Sequence, residues 1–240
     1  LNAAVVLDKV SKSFGKTLVI DDVCLKIEPS ELFGLLGPSG AGKTTLVKIM
    51  SGLCEADKGS AYVLGEKMPS LKSISRIGLM TQADALYNDL TAWDNLDFFA
   101  SVYGLHGSGK KNRIAELLEL VTLTSDSRKK VRAFSGGMKR RLSLAIAMIH
   151  RPEVLILDEP TIGMDPVLRK TVWYELKELQ KSGTAIILTT HAMEEAEKCQ
   201  RLGMIRQGRM IAVGTPEELK SNTSGAALED AFIAYAGGAI

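Results

Sequence analysis

Three cysteines, two tryptophans and seven prolines are all that 240 residues contain of those types, and aromatics make up only 5%. Cys24, Cys54 and Cys199 are odd in number and far apart. They match neither a disulfide framework nor a paired zinc spacing, which points to inert thiols in a reducing compartment. Charge of one sign is lacking too: 30 Lys and Arg against 28 Asp and Glu leave +2. No global field therefore draws in nucleic acid, and none is expected as a partner. No stretch of about 18 uninterrupted apolar residues occurs, so no bilayer-spanning helix is expected. The first residues lack the layout of a signal peptide, and residue 1 is Leu rather than Met, which leaves open a piece of a longer chain. Internal repeats and low-complexity tracts are missing as well. A length of 240 residues, 45% of them hydrophobic, suffices for one large domain or a core with a lobe. Basic residues gather only locally, at Arg128-Lys129-Lys130 and Lys139-Arg140-Arg141, and the first cluster reads as a solvated face.

Gly37-Pro38-Ser39-Gly40-Ala41-Gly42-Lys43-Thr44 is a complete G-x-x-x-x-G-K-[ST] phosphate loop. Its context agrees: the apolar run Leu32–Leu36 precedes it, and Thr45–Met50 follows with apolar residues at helical spacing. A strand turning through glycines into a helix start leaves backbone N–H groups converging on one spot, where phosphate oxygens fit. Glycine serves there because a Cβ would hold the ligand away or forbid positive φ. Lys43 is placed to reach the β- and γ-phosphates of a nucleoside triphosphate, and the Thr44 hydroxyl to hold Mg²⁺.

Further along, residues 3–36 read as strands: Val5–Leu7, Thr17–Ile20, Val23–Ile27 and the run into the loop. From about Asp84 to Arg132 the pattern turns helical. Thr91-Ala92-Trp93-Asp94 resembles a capping box that opens a helix over Trp93–Tyr103. Gly104–Lys111 reads as a loop and Ile114–Val121 as a second amphipathic helix. Strands then alternate with helices: Val154–Leu157, a helix over Leu168–Lys181, Ala185–Thr189, a helix over Met193–Cys199, a hairpin over Met204–Ile211, and a last helix over Leu228–Tyr235. The sum is an α/β core interrupted by a helical insertion.

Val154-Leu155-Ile156-Leu157-Asp158-Glu159 is an apolar strand ending in two acids, the Walker B arrangement. Asp158 at the strand tip suits the Mg²⁺ shell, and Glu159, facing the other way, suits the attacking water. Phe134-Ser135-Gly136-Gly137-Met138 is a second nest, placed just before a helix expected over Lys139–Ile149. One γ-phosphate does not need two nests in one chain. A natural solution is that this one serves a nucleotide held by a second copy.

That segment resembles the signature motif of ATP-binding-cassette ATPases, L-S-G-G-Q, with Phe134 in place of Leu and Met138 in place of Gln. The stretch Ser135–Leu142 is most similar to cassettes of ABC-2 type exporters. The resemblance extends over the whole chain. Phe14 resembles the adenine-stacking aromatic, although a lone Phe in a β-region is ordinarily core. Gln82 resembles the Q-loop glutamine, Gly163-Met164-Asp165-Pro166 the D-loop, and His191 the switch histidine. The resemblance implies a P-loop NTPase core, a mixed sheet flanked by helices, with an N-terminal antiparallel β subdomain and an inserted α-helical subdomain. Residues 1–83 and 133–220 would form the RecA-like core with the β subdomain, 84–132 the helical subdomain, and 221–240 a C-terminal helix docked on the core. It implies ATP and Mg²⁺ as ligands. Glu159, His191, Lys43 and Gln82 would be catalytic, and Thr44, Gln82 and Asp158 would hold the metal. Phe14, Gly37, Pro38, Ser39, Gly40, Ala41, Gly42, Lys43, Thr44 and Thr45 would bind nucleotide, with Ser135, Gly136, Gly137 and Asp165 acting across a head-to-tail dimer. The partners implied are a second copy or a related ATPase subunit, and a membrane-spanning permease on the helical lobe, at the cytoplasmic face of the membrane. Leu86–Thr91 would lie near that socket. The alternative is a soluble cassette ATPase working on DNA or ribosomes. Such proteins separate the two Walker segments with long insertions or carry two cassettes, whereas here the segments are about 115 residues apart.

Overall fold

Leu32–Leu36 is buried at every position, as a central parallel strand covered on both faces must be. The structure, a computed structural model, describes residues 3–82, 85–223 and 227–237. In chain order the elements are β1 (Val5–Phe14), β2 (Thr17–Ile27), β3 (Leu32–Leu36), α1 (Lys43–Met50), β4 (Lys58–Val63), β5 (Glu66–Lys67), α2 (Leu71–Ile74) and β6 (Ile77–Met80). Then come α3 (Ala92–Val102), α4 (Gly107–Leu120), α5 (Gly136–Met148), β7 (Val154–Asp158), α6 (Pro166–Lys181), β8 (Ala185–Thr190) and α7 (Met193–Ala196). The chain closes with β9 (Arg201–Arg206), β10 (Arg209–Gly214), α8 (Pro216–Ser221) and α9 (Leu228–Tyr235).

Contacts divide the chain into two units: the residues up to Ile74 with those from Ala185 on, and Ser75–Thr184. In the first unit, β1 is flanked by β2 and β4 in an antiparallel sheet that β5 extends. A second set of strands places β3 between β8 and β9, parallel to both, with β10 antiparallel on β9. α9 buries Leu228 and Ala231, and Arg206 of β9 donates to the Ala236 carbonyl at 2.6 Å just past its end. In the second unit, β6 and β7 run parallel from Ile77 opposite Val154 to Met80 opposite Leu157. α3 and α4 lie within the span expected to be helical, whose starting residue, Asp84, is outside the described residues. Residues 224–226 and 238–240, inside the expected C-terminal segment, are likewise outside them.

Several expected boundaries move. Thr17–Ile27 is one strand rather than two, since Asp22 takes a left-handed φ of 53° and the chain continues in the ladder after a register shift. The expected loop at Gly104–Lys111 is shorter, because α4 already starts at Gly107. α6 opens at Pro166 behind the N-cap Asp165, the Asp-Pro pair being a helix-start signal that apolar spacing alone overlooks. α7 is a single turn, Met193–Ala196, rather than a helix reaching Cys199.

Candidate nucleotide site

In the first unit the site grows from two adjacent strand ends. Leu36 and Thr190 are register partners on parallel β3 and β8, and the Gly37 N–H donates to the Thr190 carbonyl at 3.3 Å. The phosphate loop and His191 therefore emerge side by side at the carboxyl ends of neighbouring parallel strands, where α/β sheets bind ligands. His191 is exposed. Its turn is held by the Thr190 hydroxyl, which donates to the Glu195 carboxylate at 2.8 Å and accepts from the Ala192 N–H at 3.0 Å.

The loop winds through Gly40 (φ 78°) and Gly42 (φ 107°) into α1, whose N-cap, Gly42, offers no side-chain acceptor. The first-turn amides, those of Lys43, Thr44 and Thr45, thus carry the positive end of the helix toward the loop. Lys43 is only 5% exposed. Its ammonium turns back on the loop, donating to the Gly37 carbonyl at 2.6 Å and the Pro38 carbonyl at 3.0 Å. Two of the glycines answer to the protein's own packing as well as to a ligand. A Cβ on Gly37 would lie 2.4 Å from the Ile205 carbonyl oxygen, and one on Gly42 2.5 Å from Ile20 Cδ1. The β9–β10 turn backs the loop directly, the Gly208 N–H donating to the Ala41 carbonyl at 3.0 Å. The loop is thus shaped before any phosphate arrives. Phe14, at the end of β1, is 51% exposed rather than core, with the Lys12 ammonium 5.7 Å from its ring centroid.

The second unit repeats the parallel-strand logic. Gln82 and Glu159 each follow by two residues the partners Met80 and Leu157, and the Gln82 side-chain amide donates to the Glu159 carboxylate at 3.4 Å. Asp158, at the tip of β7, is fully buried. Glu159 adopts a left-handed φ of 53°, a conformation that L-residues other than Asn and Asp seldom take. The Arg140 guanidinium holds that turn, donating to the Glu159 carbonyl through Nε at 3.2 Å and Nη2 at 2.6 Å, and through Nη2 also to the Asp158 carbonyl. Sequence reasoning missed Arg140. The run Lys139-Arg140-Arg141 directly behind the two glycines was the available signal.

Ser135 caps α5, its hydroxyl accepting from the Met138 N–H at 3.3 Å. Gly136 and Gly137 have no positive φ. A Cβ on Gly136 would meet nothing within 4 Å, and one on Gly137 only the Gly163 carbonyl at 3.4 Å. Phe134, where the signature usually has Leu, is buried, so that position needs apolar volume and the substitution supplies it. Asp165 Oδ1 accepts from the Val167 and Leu168 N–H groups, both at 3.0 Å. These bonds, Leu168 first, hold its carboxyl below the usual carboxylate range.

A sequence model described as ABC transporter matches residues 20–162. The chain belongs to the ABC transporter family. Among the curated relatives of this ABC ATPase, the linearmycin resistance ATP-binding protein LnrL of Bacillus subtilis is 44% identical over 91% of the chain and 71% of that protein. The Nod factor export ATP-binding protein I of Paraburkholderia xenovorans is 42% identical over 96% of the chain and 77% of its own length. Among solved structures, the ATP-binding cassette MJ0796, dimeric in a post-hydrolysis state with ADP and Pi, superposes with a TM-score of 0.82 at 26% identity, covering 88% of this chain and 98% of that one. The ABC membership carries the family's activity, ATP binding and hydrolysis, on the P-loop architecture expected from the sequence.

Proposed function

We propose that this chain is the ATPase subunit of an exporter for a drug, antibiotic, lipid or polysaccharide cargo. It acts as a head-to-tail dimer that closes on ATP and opens after hydrolysis. Two relatives named for Nod factor export and linearmycin resistance favour a cargo of that type. The observation that carries the dimer is the pair Gly136 and Gly137, which the chain's own fold does not require: φ is ordinary and the space outside Gly136 is open. Bare backbone facing open space at the start of a helix suits the phosphate of another subunit.

Within one subunit, the phosphate loop and Lys43 grip the β- and γ-phosphates, Phe14 stacks on the base, and His191 contacts the γ-phosphate. Glu159 accepts a proton from the water whose oxygen attacks γ-phosphorus as the bond to ADP breaks. Asp158, Thr44 and Gln82 would hold Mg²⁺, which when bound neutralises charge developing on the phosphate oxygens. Among the described residues no three His, Cys, Asp or Glu side chains form a cage by themselves. The oxygen donors of Asp158, Thr44 and Gln82 are of the hard kind that Mg²⁺ takes. Ser135–Gly137 and Asp165 act toward the neighbouring subunit's nucleotide.

The helical lobe, proposed at 84–132, would take a permease helix and so place the chain at the cytoplasmic face of the membrane. No helix among the described residues is long and apolar enough to cross a membrane itself. At the edge of that lobe a cavity of about 110 Å³ is lined by its Leu86, Phe99 and Tyr103 together with Leu79, Thr81 and Ile146 from outside it. Tyr87 and Phe98 stand exposed nearby in an edge-to-face pair at 4.9 Å. The Leu86–Thr91 segment is pinned by buried Asn95, which bonds the backbone of Tyr87 and Thr91. It is also tied to the lead-in of the signature, the Val131 and Arg132 N–H groups donating to the Leu90 and Asn88 carbonyls at 2.9 Å. A push on that segment is thereby delivered close to Ser135.

The test is complementation. Lys43→Ala fails in its own loop, whereas Ser135→Arg blocks the neighbour's nucleotide. Mixing the two inactive proteins gives dimers in which one site carries both lesions and the other neither, so part of the activity should return. Wild-type specific activity should also rise with protein concentration until dimerisation saturates. Constant specific activity in a protein that stays monomeric throughout would refute the dimer.

A further inference from the structure

We propose that Arg140 is a positioning residue that sets the Glu159 carboxylate and makes its placement depend on the start of α5, within one chain. The inference deepens the reading of Glu159 as the water-handling base and of Ser135–Gly137 as a phosphate nest, and it rests on that reading.

Three observations support it. Glu159 sits in the left-handed backbone region, so the direction in which its side chain leaves β7 depends on a turn that the residue does not favour by itself. The Arg140 guanidinium grips the carbonyls on both sides of the bond joining Asp158 to Glu159. A planar fork with fixed donors fits that task better than a single ammonium. Lastly, α5 is held along its length by further arginine–carbonyl bonds. Arg141 Nη1 donates to the Val121 carbonyl at 3.1 Å, and Arg113 Nη2 to the Met148 carbonyl at 2.7 Å. Those bonds tie α5 to its neighbours, so Arg140 leaves the helix from a position fixed relative to the nest. Arg140 lies five residues beyond Ser135, about one and a half turns along α5. Phosphate docking on the nest therefore reaches the base of the same subunit through one side chain.

The experiment uses the full chain with Arg140→Ala and Arg140→Lys, each alone and with Glu159→Gln. ATP affinity is read with a fluorescent ATP analogue, folding by thermal denaturation, and turnover with Mg-ATP. Arg140→Ala should lower kcat by about a hundredfold, the scale of an ångström-sized misplacement of a reacting group, with KM and analogue affinity within about twofold of wild type. Arg140→Lys should recover part of the loss, and added guanidinium ion should recover part of it in the alanine variant. On the residual turnover of Glu159→Gln, Arg140→Ala should cause no further loss, since it acts through a carboxylate already gone. A kcat within about threefold of wild type in Arg140→Ala overturns the proposal, as does an undiminished loss in the Glu159→Gln background. Should the alanine variant fail to fold, the lysine variant decides: full wild-type kcat with unchanged pH dependence refutes the fork. Near-normal turnover in Glu159→Gln alone would overturn the underlying site reading first, which separates the two failures.

Discussion

Acidification should loosen this protein at one identifiable corner. Tyr103, at the end of α3, stacks on His150, two residues past α5, with ring centroids 3.6 Å apart and planes within 6°. Neither His150 ring nitrogen makes a well-formed hydrogen bond, and burial pushes the imidazole down from 6.5 to about 4. That value already combines the burial with an opposing upward push from the Ile77 backbone and a smaller downward one from the Arg113 guanidinium. The folded protein thus refuses a proton that the unfolded chain accepts. Stability is intact above about pH 6.5 and is lost progressively as pH falls toward about 4. Proton linkage with those two values gives a loss of about 2 kcal/mol between about pH 7.5 and about pH 5.0. Partial solvent access to the ring reduces this to about 1–2 kcal/mol. For a chain of this size that lowers Tm by roughly 2–8 °C. Thermal unfolding followed by circular dichroism at the two pH values should show the drop in wild type. His150→Phe preserves the stack on Tyr103 and cannot titrate, so its Tm should change much less across the same interval. An equal drop in the variant would place the acid sensitivity elsewhere and refute the argument. Carboxylates with lowered values, such as Glu153 beside Arg76, lose their contribution only as pH falls through and below the ordinary carboxylate range, so they do not mimic the effect.

Lys43→Ala should nearly abolish ATP hydrolysis and weaken nucleotide binding by about 10- to 100-fold, the scale of one charge-assisted contact of roughly 1.5–3 kcal/mol; isothermal titration with ATP and a phosphate-release assay check both. Glu159→Gln should bind ATP normally but stall, and in Mg-ATP it should elute from a sizing column as a dimer, whereas the nucleotide-free protein runs largely as a monomer.

What the sequence disclosed depended on whether the chemistry was local. The phosphate loop was legible because the turn demands glycine at fixed offsets, and Gly40 and Gly42 do take positive φ. β7 was legible because a strand buried at all five positions reads as an unbroken apolar run ending in Asp158. β6 was not, being only four residues long, too short for a periodic signal. Its place beside β7 is nonetheless what brings Gln82 to Glu159. Arg140 was hidden for a different reason. Arginines on a helix usually mark a solvated face, and only tertiary structure turns this one onto the two carbonyls of the Asp158–Glu159 turn. For Phe14 general propensity and the structure part ways: propensity favours burial for an aromatic in a strand, yet this one lies at the strand end and stays exposed.

Ser135 and Asp165 raise the question of how residues proposed to act across a dimer can already be engaged in their own chain. Hydrogen-bonding capacity answers it. The Ser135 hydroxyl has one donor and two acceptor lone pairs, and capping α5 uses a single lone pair to receive the Met138 N–H. Its proton remains available to a phosphate oxygen. Asp165 meets both the Val167 and the Leu168 N–H with Oδ1, and the residue is exposed. Its Oδ2 can still receive a donor from outside the chain. In each case the cap fixes the rotamer, so the remaining group points in a set direction before a partner arrives, and less side-chain entropy is lost when contact is made. Ser135→Ala should therefore weaken both duties together, whereas Ser135→Thr keeps the cap and the proton while adding a methyl group. If the nest works as proposed, a phosphate-release assay should show more turnover in the threonine variant than in the alanine variant, and thermal unfolding should show most of the cap's stabilisation kept, threonine being a slightly weaker N-cap than serine.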